Sequence, residues 1–328
     1  MSASYARVMT LVGPLRQLNP QAVQALTELA ARTGRVPGVG HTPLGTPRWQ
    51  EVNAVPSGRF SGHDASIAAW SENRDGRIDV FAQAWRGASD PTWVAEILVD
   101  PTMSSMTADV GAPLLSRLLQ GIGTASTDQG AQRLELWVTN ASAGHAELAA
   151  RAGLAAYRTL HQMLRPLPIE RTRKLTVRAF NVAADVEEVL EVNRRSFVAH
   201  PSQGDLTLEQ FQQQMSEPWF DPNGFLIAEA DTRIAGFCWT KLFDPDPTNA
   251  RQGEIHVICV DPDFVGHGFG QGLVEEGLSY LFAHGATEGM LFVEGDNAAA
   301  LSLYHRMGFE TIRTDRAYAA TVAAGATQ

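Results

Sequence analysis

Three glycines at alternate positions, Gly266, Gly268 and Gly270, separate an apolar run from a segment of helical periodicity in "VDPDFVGHGFGQGLVEEGL". Backbone N–H groups at the start of a helix, together with the helix dipole, favour an anionic ligand such as a pyrophosphate. The spacing excludes a dinucleotide fingerprint, because its third glycine position falls on Gln271 or Leu273, and the segment has no G-K-[S/T] of a nucleoside-triphosphate loop. Two interpretations remain open, a phosphate-binding loop and a plain strand-to-helix turn.

The strand before this loop, "GEIHVICV", carries a carboxylate and an imidazole. Strand alternation predicts that Glu254, His256, Ile258 and Val260 share one face. A carboxylate at the mouth of a strand can accept a proton from an amine, directly or through water, and an imidazole titrates near neutrality. Glu254 and His256 are therefore candidate bases, with a solvated strand end and a packed ring as the alternatives. Cys259 has no histidine at a recognisable spacing and is expected to pack in the core.

A tyrosine, Tyr304, lies in the last predicted helix. Asp296 is predicted to be the N-cap of that helix, and Gly308 is predicted to end it in the left-handed conformation. A phenol in this position can act as a general acid, a role worth about 10²- to 10⁴-fold in rate. The alternative is a tyrosine whose ring packs on the core.

Composition limits the class of partner. The 328 residues predict two domains, and 26 Lys+Arg against 36 Asp+Glu give a net charge of -10, which disfavours nucleic acid and anionic membrane as partners. A small-molecule substrate is expected. The two cysteines, Cys238 and Cys259, lie in apolar runs and suggest a reducing cytoplasm without disulfides. With neither a signal segment nor an apolar run of about 18 residues, the chain is predicted to be cytoplasmic, and we expect a monomer.

The chain contains an internal repeat. Residues 96–122 and 257–281 each read as an apolar strand, Val-Asp-Pro, a loop and a helix, and 134–154 aligns on 289–309 without a gap. The N-terminal copy has Ala149 where the C-terminal copy has Tyr304, and its loop lacks the alternating glycines. Duplication is the simplest explanation, and we predict that the N-terminal copy is catalytically silent.

The spacing of apolar and proline residues predicts the helices, strands and linker that position the candidate residues. The proline-containing segment 164–175 is predicted to be a linker between domains at 1–165 and 174–328. The C-terminal half alternates strands and helices around one sheet, which indicates an α/β class with a mixed α+β sheet. Its predicted helices are 185–199, 207–217, 270–284 and 297–307. The third is expected to bury Leu273, Val274, Leu278, Leu281 and Phe282.

Two of these motifs resemble the GCN5-related N-acetyltransferases (GNATs), the acyl-CoA N-acyltransferases. The loop matches their Q/R-x-x-G-x-G/A pattern at Gly268 and Gly270, with Val265 in place of the usual Gln or Arg. "NAAALSLYHRMGF" matches the second half of the signature. The resemblance implies two tandem GNAT domains and acetyl-CoA as the donor, with no metal. It also implies that the donor contacts are Ile258, Cys259, Val260, Val265, Gly266, His267, Gly268, Phe269, Gly270, Gln271, Asn297, Ala298, Ala299, Ala300, Leu301 and Ser302.

Amide formation from a thioester needs a base for the amine, a donor for the oxyanion and a proton for the departing thiolate. The GNAT resemblance assigns the base to Glu254 and the acid to Tyr304. Main-chain N–H groups near 258–260 are expected to stabilise the oxyanion.

The tandem arrangement, "NRRSFVAHPSQGD", "EPWFDPNGFLIA" and "GFCWTK" are similar to the mycothiol synthase family. That resemblance implies acetylation of the cysteinyl amine of a cysteine–glucosamine–inositol conjugate, the final step of mycothiol biosynthesis. It places acceptor contacts at His41, Ser202, Lys241, Glu254 and Phe292. A polyol acceptor also needs an aromatic wall, for which Trp239 is the candidate, with a packed core residue as the alternative. His41 and Ser202 stand where the family has acidic residues. Two alternatives therefore stay open. The acceptor is another amine, such as an aminoglycoside or a peptide N-terminus, or the chain is a CoA-binding sensor without turnover.

Overall fold

The computed structural model describes residues 8–12, 20–33, 65–72, 77–86, 92–125, 132–197, 206–244 and 250–322. These residues divide into two compact units, each of which contains both parallel and antiparallel strand pairs. The N-terminal unit comprises Met1–Thr159 with Thr314–Gln328, and the C-terminal unit comprises Leu160–Arg313. The predicted α/β class with a mixed sheet is confirmed.

The described part of the N-terminal unit has three α-helices and a sheet in which β4 runs parallel to β5 and the other neighbours are antiparallel. Leu114, Leu118 and Ile122 of the second helix are buried against the sheet. In chain order the elements are β1 (Val8–Val12), α1 (Pro20–Arg32), β2 (Ala65–Glu72), β3 (Ile78–Arg86), β4 (Thr92–Val99), α2 (Thr107–Ala125), β5 (Gln132–Val138) and α3 (Ala143–Arg151).

The C-terminal unit repeats this plan with helices on both faces of its sheet. Strands β10 and β11 run parallel, and the other neighbours are antiparallel. In chain order the remaining described elements of the chain, including β6 and β12 that cross the boundaries of the units, are β6 (Ala155–Pro166), β7 (Val177–Ala179), α4 (Val186–Ser196), α5 (Leu208–Met215), β8 (Phe225–Ala230), β9 (Arg233–Leu242), β10 (Gln252–Val260), α6 (Phe269–Ala283), β11 (Glu288–Glu294), α7 (Ala298–Arg306) and β12 (Glu310–Val322).

Two strands pair with the sheet of the other half of the sequence. The end of β6, from Leu160 to Pro166, pairs with β11, and Arg316–Val322 of β12 pairs with β5. The structure thus departs from the expected boundaries at 165 and 328, because ladder hydrogen bonds assign each strand to the sheet it joins rather than to its neighbours in sequence.

Helix α6 packs closely on the C-terminal sheet. Leu273, Val274, Leu278 and Leu281 are buried as predicted, whereas Phe282 is exposed, because it lies beside Leu281 on the solvent side of the helix. A methyl group on Gly277 would lie 2.5 Å from Cys238 Sγ, so only glycine permits this approach. The spacing of the apolar residues therefore predicted the buried face of α6 correctly, except for Phe282.

The duplication is visible in a capped turn that both units share. Asp100 and Asp261, the aspartates of the two Val-Asp-Pro segments, are buried and accept a hydrogen bond from the amide two residues later. An arginine from the first helix of each unit pairs with each aspartate, Arg32 at 2.6 Å and Arg195 at 2.9 Å. Burial and hydrogen bonding thus fix the end of β4 and of β10 in the same way.

Candidate active site

The parallel ladder between β10 and β11 is short. It runs from the pair Gln252–Glu288 to the pair Ile255–Leu291, while β10 stays paired with β9 as far as Val260. Beyond Ile255 the two parallel strands therefore separate, and one edge of β10 is left without its β11 ladder. An extended ligand can add to such an edge as an extra strand.

A cavity of about 140 Å³ lies at this separation. Its walls come from both core clusters of the unit, the one under α6 and α7 and the one under α4 and α5, so the opening reaches both faces of the sheet. Predicted site residues and core residues line it together: Phe197, Ile255, His256, Val257, Ile258, Leu291, Phe292, Val293, Glu294, Asn297, Ala300 and Tyr304.

A β-bulge at His256 changes the predicted faces of β10. The pairing with β9 shifts by one residue between Ile255 and Val257. Ile258 packs with the α6 and α7 cluster, whereas Val257 and Cys259 belong to the opposite cluster. The prediction that Glu254, His256, Ile258 and Val260 share one face was wrong, because the extra residue in a bulge reverses the alternation that follows it.

Glu254 and His256 form a pair next to the cavity. Glu254 is only 2% exposed, and its Oε1 lies 3.4 Å from His256 Nδ1. The imidazole lines the cavity, so it connects the buried carboxylate to that space. A carboxylate and an imidazole in contact can accept and hold a proton between them.

The side chain of Trp219 contacts both His256, a member of the Glu254–His256 pair, and Lys241. The Lys241 ammonium lies 4.7 Å from the ring centroid of Trp219 and 5.2 Å from that of Phe243, and the Trp219 ring meets the edge of His256 at 5.0 Å. A cation held over aromatic faces beside a base provides both polar and stacking contacts for a polyol.

The aromatic wall predicted at Trp239 is instead a core residue. Trp239 is 1% exposed and stacks on Phe225 at 5.0 Å. Trp219, in "EPWFDP", is partly exposed and touches the lysine and the histidine. Sequence reasoning did not single out Trp219, since the only signal was a lone tryptophan in a turn after α5.

Tyr304 lies on the other side of the cavity, on α7. It is 5% exposed and packs edge-on against Phe309. Burial, with a smaller contribution from the nearby Cys238, raises the pKa of the phenol above its ordinary value. The hydroxyl therefore stays protonated at neutral and moderately alkaline pH, as an acid for a departing thiolate must.

The glycine loop leads directly into α6. Gly266 and Gly268 both have φ of +88°, in the left-handed region, and Gly268 is the N-cap of α6. These positions favour glycine because a side chain is strained there. Val265 is 65% exposed, His267 is exposed, and Phe269 packs on Phe264. Gly270 follows in the first turn, where helical N–H groups lack partners within the helix.

Gln271, at the same end of α6, faces the linker. Its amide donates to Thr172 Oγ1 at 2.8 Å and to Glu275 Oε1 at 2.9 Å. Its side chain is thus engaged in holding the linker against the helix rather than turned to the loop.

Helix α7 begins one residue later than predicted. Asn297, not Asp296, is the N-cap, and its side chain accepts from the Ala300 amide at 3.1 Å. Ala298 and Ala299 are exposed, Leu301 packs against the core, and Ser302 accepts from Arg306 at 2.6 Å. Gly308, with φ of +82°, ends the helix as predicted.

The remaining predicted positions divide into three groups. Phe292 lines the cavity with Ile258, and Val260 accepts a hydrogen bond from Ser196. Cys259 turns its thiol to the Val192 carbonyl, and burial raises its pKa to about 12, which suits a packed thiol rather than a nucleophile. His41 and Ser202 lie outside the described residues.

The corresponding part of the N-terminal unit differs in the pairing of its strand β4 and in the segment that precedes its helix α2. β4 pairs with β3 without a shift, and its ladder with β5 continues to Glu96–Trp137, one residue past Leu136, the counterpart of Leu291. A 3-10 helix over Pro101–Met106 runs straight into α2, which contains Gly111. Within the described residues, β4 thus lacks the bulge of β10, and the segment before α2 lacks the left-handed glycines of the C-terminal loop.

None of the helices in the described part of the chain combines the length and the hydrophobicity that a membrane-spanning helix needs.

Comparison with known proteins agrees with this geometry. Residues 186–309 match the model of the Acetyltransferase (GNAT) family. The mycothiol acetyltransferase of Geodermatophilus obscurus is 34% identical over 91% of this chain and 94% of that protein. The mycothiol acetyltransferase of Acidimicrobium ferrooxidans is 37% identical over 92% of this chain and 93% of its own. The predicted resemblance to these enzymes is confirmed.

Solved structures show the same fold at low identity. A GCN5-related N-acetyltransferase from Sphaerobacter thermophilus superposes with a TM-score of 0.66 at 18% identity, covering 98% of both chains. A tandem GNAT protein from the clavulanic acid biosynthesis pathway superposes with a TM-score of 0.60 at 14% identity, covering 98% of this chain and 100% of its own. The tandem GNAT architecture predicted from the repeat is thereby supported over the whole chain.

Proposed function

This chain belongs to the mycothiol acetyltransferase family of GNAT enzymes, and on that premise we propose that its C-terminal unit acetylates the cysteinyl amine of a cysteine–glucosamine–inositol conjugate, with acetyl-CoA as donor. The observation that carries the proposal is the cavity at the separation of β10 and β11, which the Glu254–His256 pair adjoins from one side and Tyr304 lines from the other.

The residues present fit acetyl-CoA. The edge of β10 beyond Ile255 offers main-chain groups to the pantetheine arm, and the amides that follow Gly268 offer donors to a pyrophosphate. The start of α7, from Asn297 to Ser302, is proposed to border the donor, since Asn297 and Ala300 line the cavity. These residues bind and orient the donor so that its thioester reaches the opening in the sheet.

The proposed reaction is a direct attack of the amine on the thioester carbon. Glu254, connected to the cavity through His256, accepts the proton of the amine. Main-chain N–H groups of 258–260 stabilise the oxyanion, and Tyr304 donates its proton to the departing CoA thiolate. Because burial raises the pKa of Tyr304, the phenol is protonated and its proton is available when the thiolate forms.

The acceptor is proposed to lie on the side of the sheet that carries Trp219. Lys241 and Trp219 provide a cation and an aromatic face for the sugar and inositol hydroxyls, and Phe292 borders the cavity on the β11 side. His41 and Ser202 remain proposed contacts on the strength of the family resemblance alone. The N-terminal unit is proposed to be silent, since it has Ala149 in place of Tyr304.

The proposed setting is a cytoplasmic monomer that binds neither nucleic acid nor membrane, with no metal. Two buried free thiols and a net charge of -10 support this proposal.

The decisive experiment measures acetyl-CoA consumption with the cysteine–glucosamine–inositol acceptor against a panel of aminoglycosides and peptides. We expect the conjugate to have the highest kcat/KM. Equal or better turnover of another amine would refute the proposed acceptor. CoA binding without turnover of any amine would favour a sensor.

A further inference from the structure

The segment predicted to be a linker lies inside the C-terminal unit, and a buried carboxylate anchors it to α6. Glu275 accepts hydrogen bonds from the amides of Thr172 and Arg173 at 3.0 and 2.8 Å, and from Thr172 Oγ1 at 2.7 Å. The adjacent Arg171 pairs with Glu276. The three hydrogen bonds to Glu275 therefore hold Thr172 and Arg173 in a fixed position along the first turns of the helix.

This anchoring places the Arg173 side chain against the glycine loop. A methyl group built on Gly268 would lie 3.4 Å from Arg173 Nη1, 3.5 Å from Cζ and 3.7 Å from Nε. The guanidinium thus lies beside the N-cap of α6, where the helical amides begin. Among the residues that the structure describes, no carboxylate pairs with this guanidinium, whereas Arg171, two positions earlier, is paired.

The loop itself lacks a charged side chain at the position where the GNAT pattern has Gln or Arg. Val265 occupies it and is 65% exposed, so an apolar group faces solvent at the start of an anion-binding loop. A planar guanidinium offers bidentate hydrogen bonds that suit phosphate oxygens. Arg173 brings such a group to the same loop from a different part of the chain.

We propose that Arg173 binds the pyrophosphate of CoA and supplies, from the linker, the side-chain contact that Val265 cannot make. The pyrophosphate is the group concerned because Arg173 lies at Gly268, where the N–H groups of α6 converge. This inference rests on the proposed placement of acetyl-CoA in the C-terminal unit.

The test is equilibrium binding of CoA and of dephospho-CoA, which lacks the 3′-phosphate, measured by calorimetry on the full chain. Arg173→Gln is compared with the wild type and with Arg171→Gln, a control that removes a neighbouring guanidinium already paired with Glu276. Arg173→Gln is expected to weaken both ligands about tenfold, as for the loss of one charge-assisted contact at a partly exposed site. Arg171→Gln is expected to bind both like the wild type.

The possible outcomes are distinct. Loss of affinity for CoA but not for dephospho-CoA would overturn the pyrophosphate assignment. Equal affinities in the wild type and in Arg173→Gln would refute the inference alone, whereas a wild type that binds no CoA would refute it together with the proposed function. Adding Val265→Arg to Arg173→Gln is expected to restore most of the lost affinity, and unchanged weak binding in the double variant would contradict the compensation. Thermal melting of each variant excludes misfolding as the cause.

Discussion

Replacing Tyr304 by phenylalanine removes one oxygen atom from the cavity wall and tests the proposed acid step. The ring is buried and packs against Phe309, so the variant keeps the apolar contacts. Within the part of the chain that the structure describes, no protein group hydrogen-bonds the Tyr304 hydroxyl, and its loss leaves no buried partner unsatisfied. We therefore expect the free energy of unfolding to change by less than about 0.5 kcal/mol.

In contrast to the free energy of unfolding, kcat of the Tyr304→Phe variant should fall sharply. Loss of a general acid lowers kcat by about 10²- to 10⁴-fold, or about 3 to 5 kcal/mol of barrier. In the wild type, the raised pKa of Tyr304 keeps the acid protonated as pH rises, so its own ionisation should not reduce kcat between about pH 7 and 10. CoA affinity should be unaltered, because the phenol contributes only as the thiolate departs.

The assay follows loss of the thioester in a single turnover, since the acceptor carries its own thiol and product release can mask the chemical step. Tyr280→Phe is the matched control. It removes the hydrogen bond from Tyr280 to Asp221, and we expect it to cost about 1.5 to 3 kcal/mol of stability with an unchanged rate. A Tyr304→Phe enzyme that turns over within about threefold of the wild type would refute the assignment of the acid.

Three further predictions test the base, the acceptor side and the anchored linker. Glu254→Gln should lower kcat/KM about 10²- to 10³-fold with unchanged CoA binding; a loss below tenfold would contradict its role. Trp219→Leu should raise the acceptor KM about fivefold through its contact with Lys241 and leave the acetyl-CoA KM unchanged, and a parallel rise in both would argue for a structural role. Glu275→Ala should lower the free energy of unfolding by about 2 to 3 kcal/mol in chemical denaturation. Burial favours a higher pKa for Glu275, but the hydrogen bonds it receives from Gln271 and the linker lower the pKa below 4.5. Its stabilisation is therefore present above that value and lost as pH falls through the lowered pKa, and a variant with the same acid sensitivity as the wild type would contradict this.

Much of the site could be predicted because its signals are local. The glycines before α6 carry their backbone requirement in the sequence, and Gly266 and Gly268 do adopt left-handed φ. The internal repeat placed Tyr304 opposite Ala149 without any structure. The periodicity of α6 gave its buried face apart from Phe282, since helical spacing depends only on neighbouring residues.

The faces of β10 could not be predicted, because a bulge depends on the pairing partner. Simple alternation predicted that Glu254 and Ile258 lie on the same face of β10, whereas the register shift against β9 places them on different faces. The same limit applies to the aromatic side of the site. Trp219 and Lys241 are distant in sequence, and only the fold brings the indole under the ammonium.

By itself, the sequence determined the duplication and the acyltransferase class, and it supplied the candidate residues for the chemistry. Only the tertiary structure decided which sheet receives β6 and β12, where β10 and β11 separate, and that Arg173 of the linker lies at the glycine loop. The physical reason is that spacing along the chain fixes dihedral preferences and the face of a helix. Strand partners, register and contacts across loops are instead set by hydrogen bonds and packing between segments far apart in sequence.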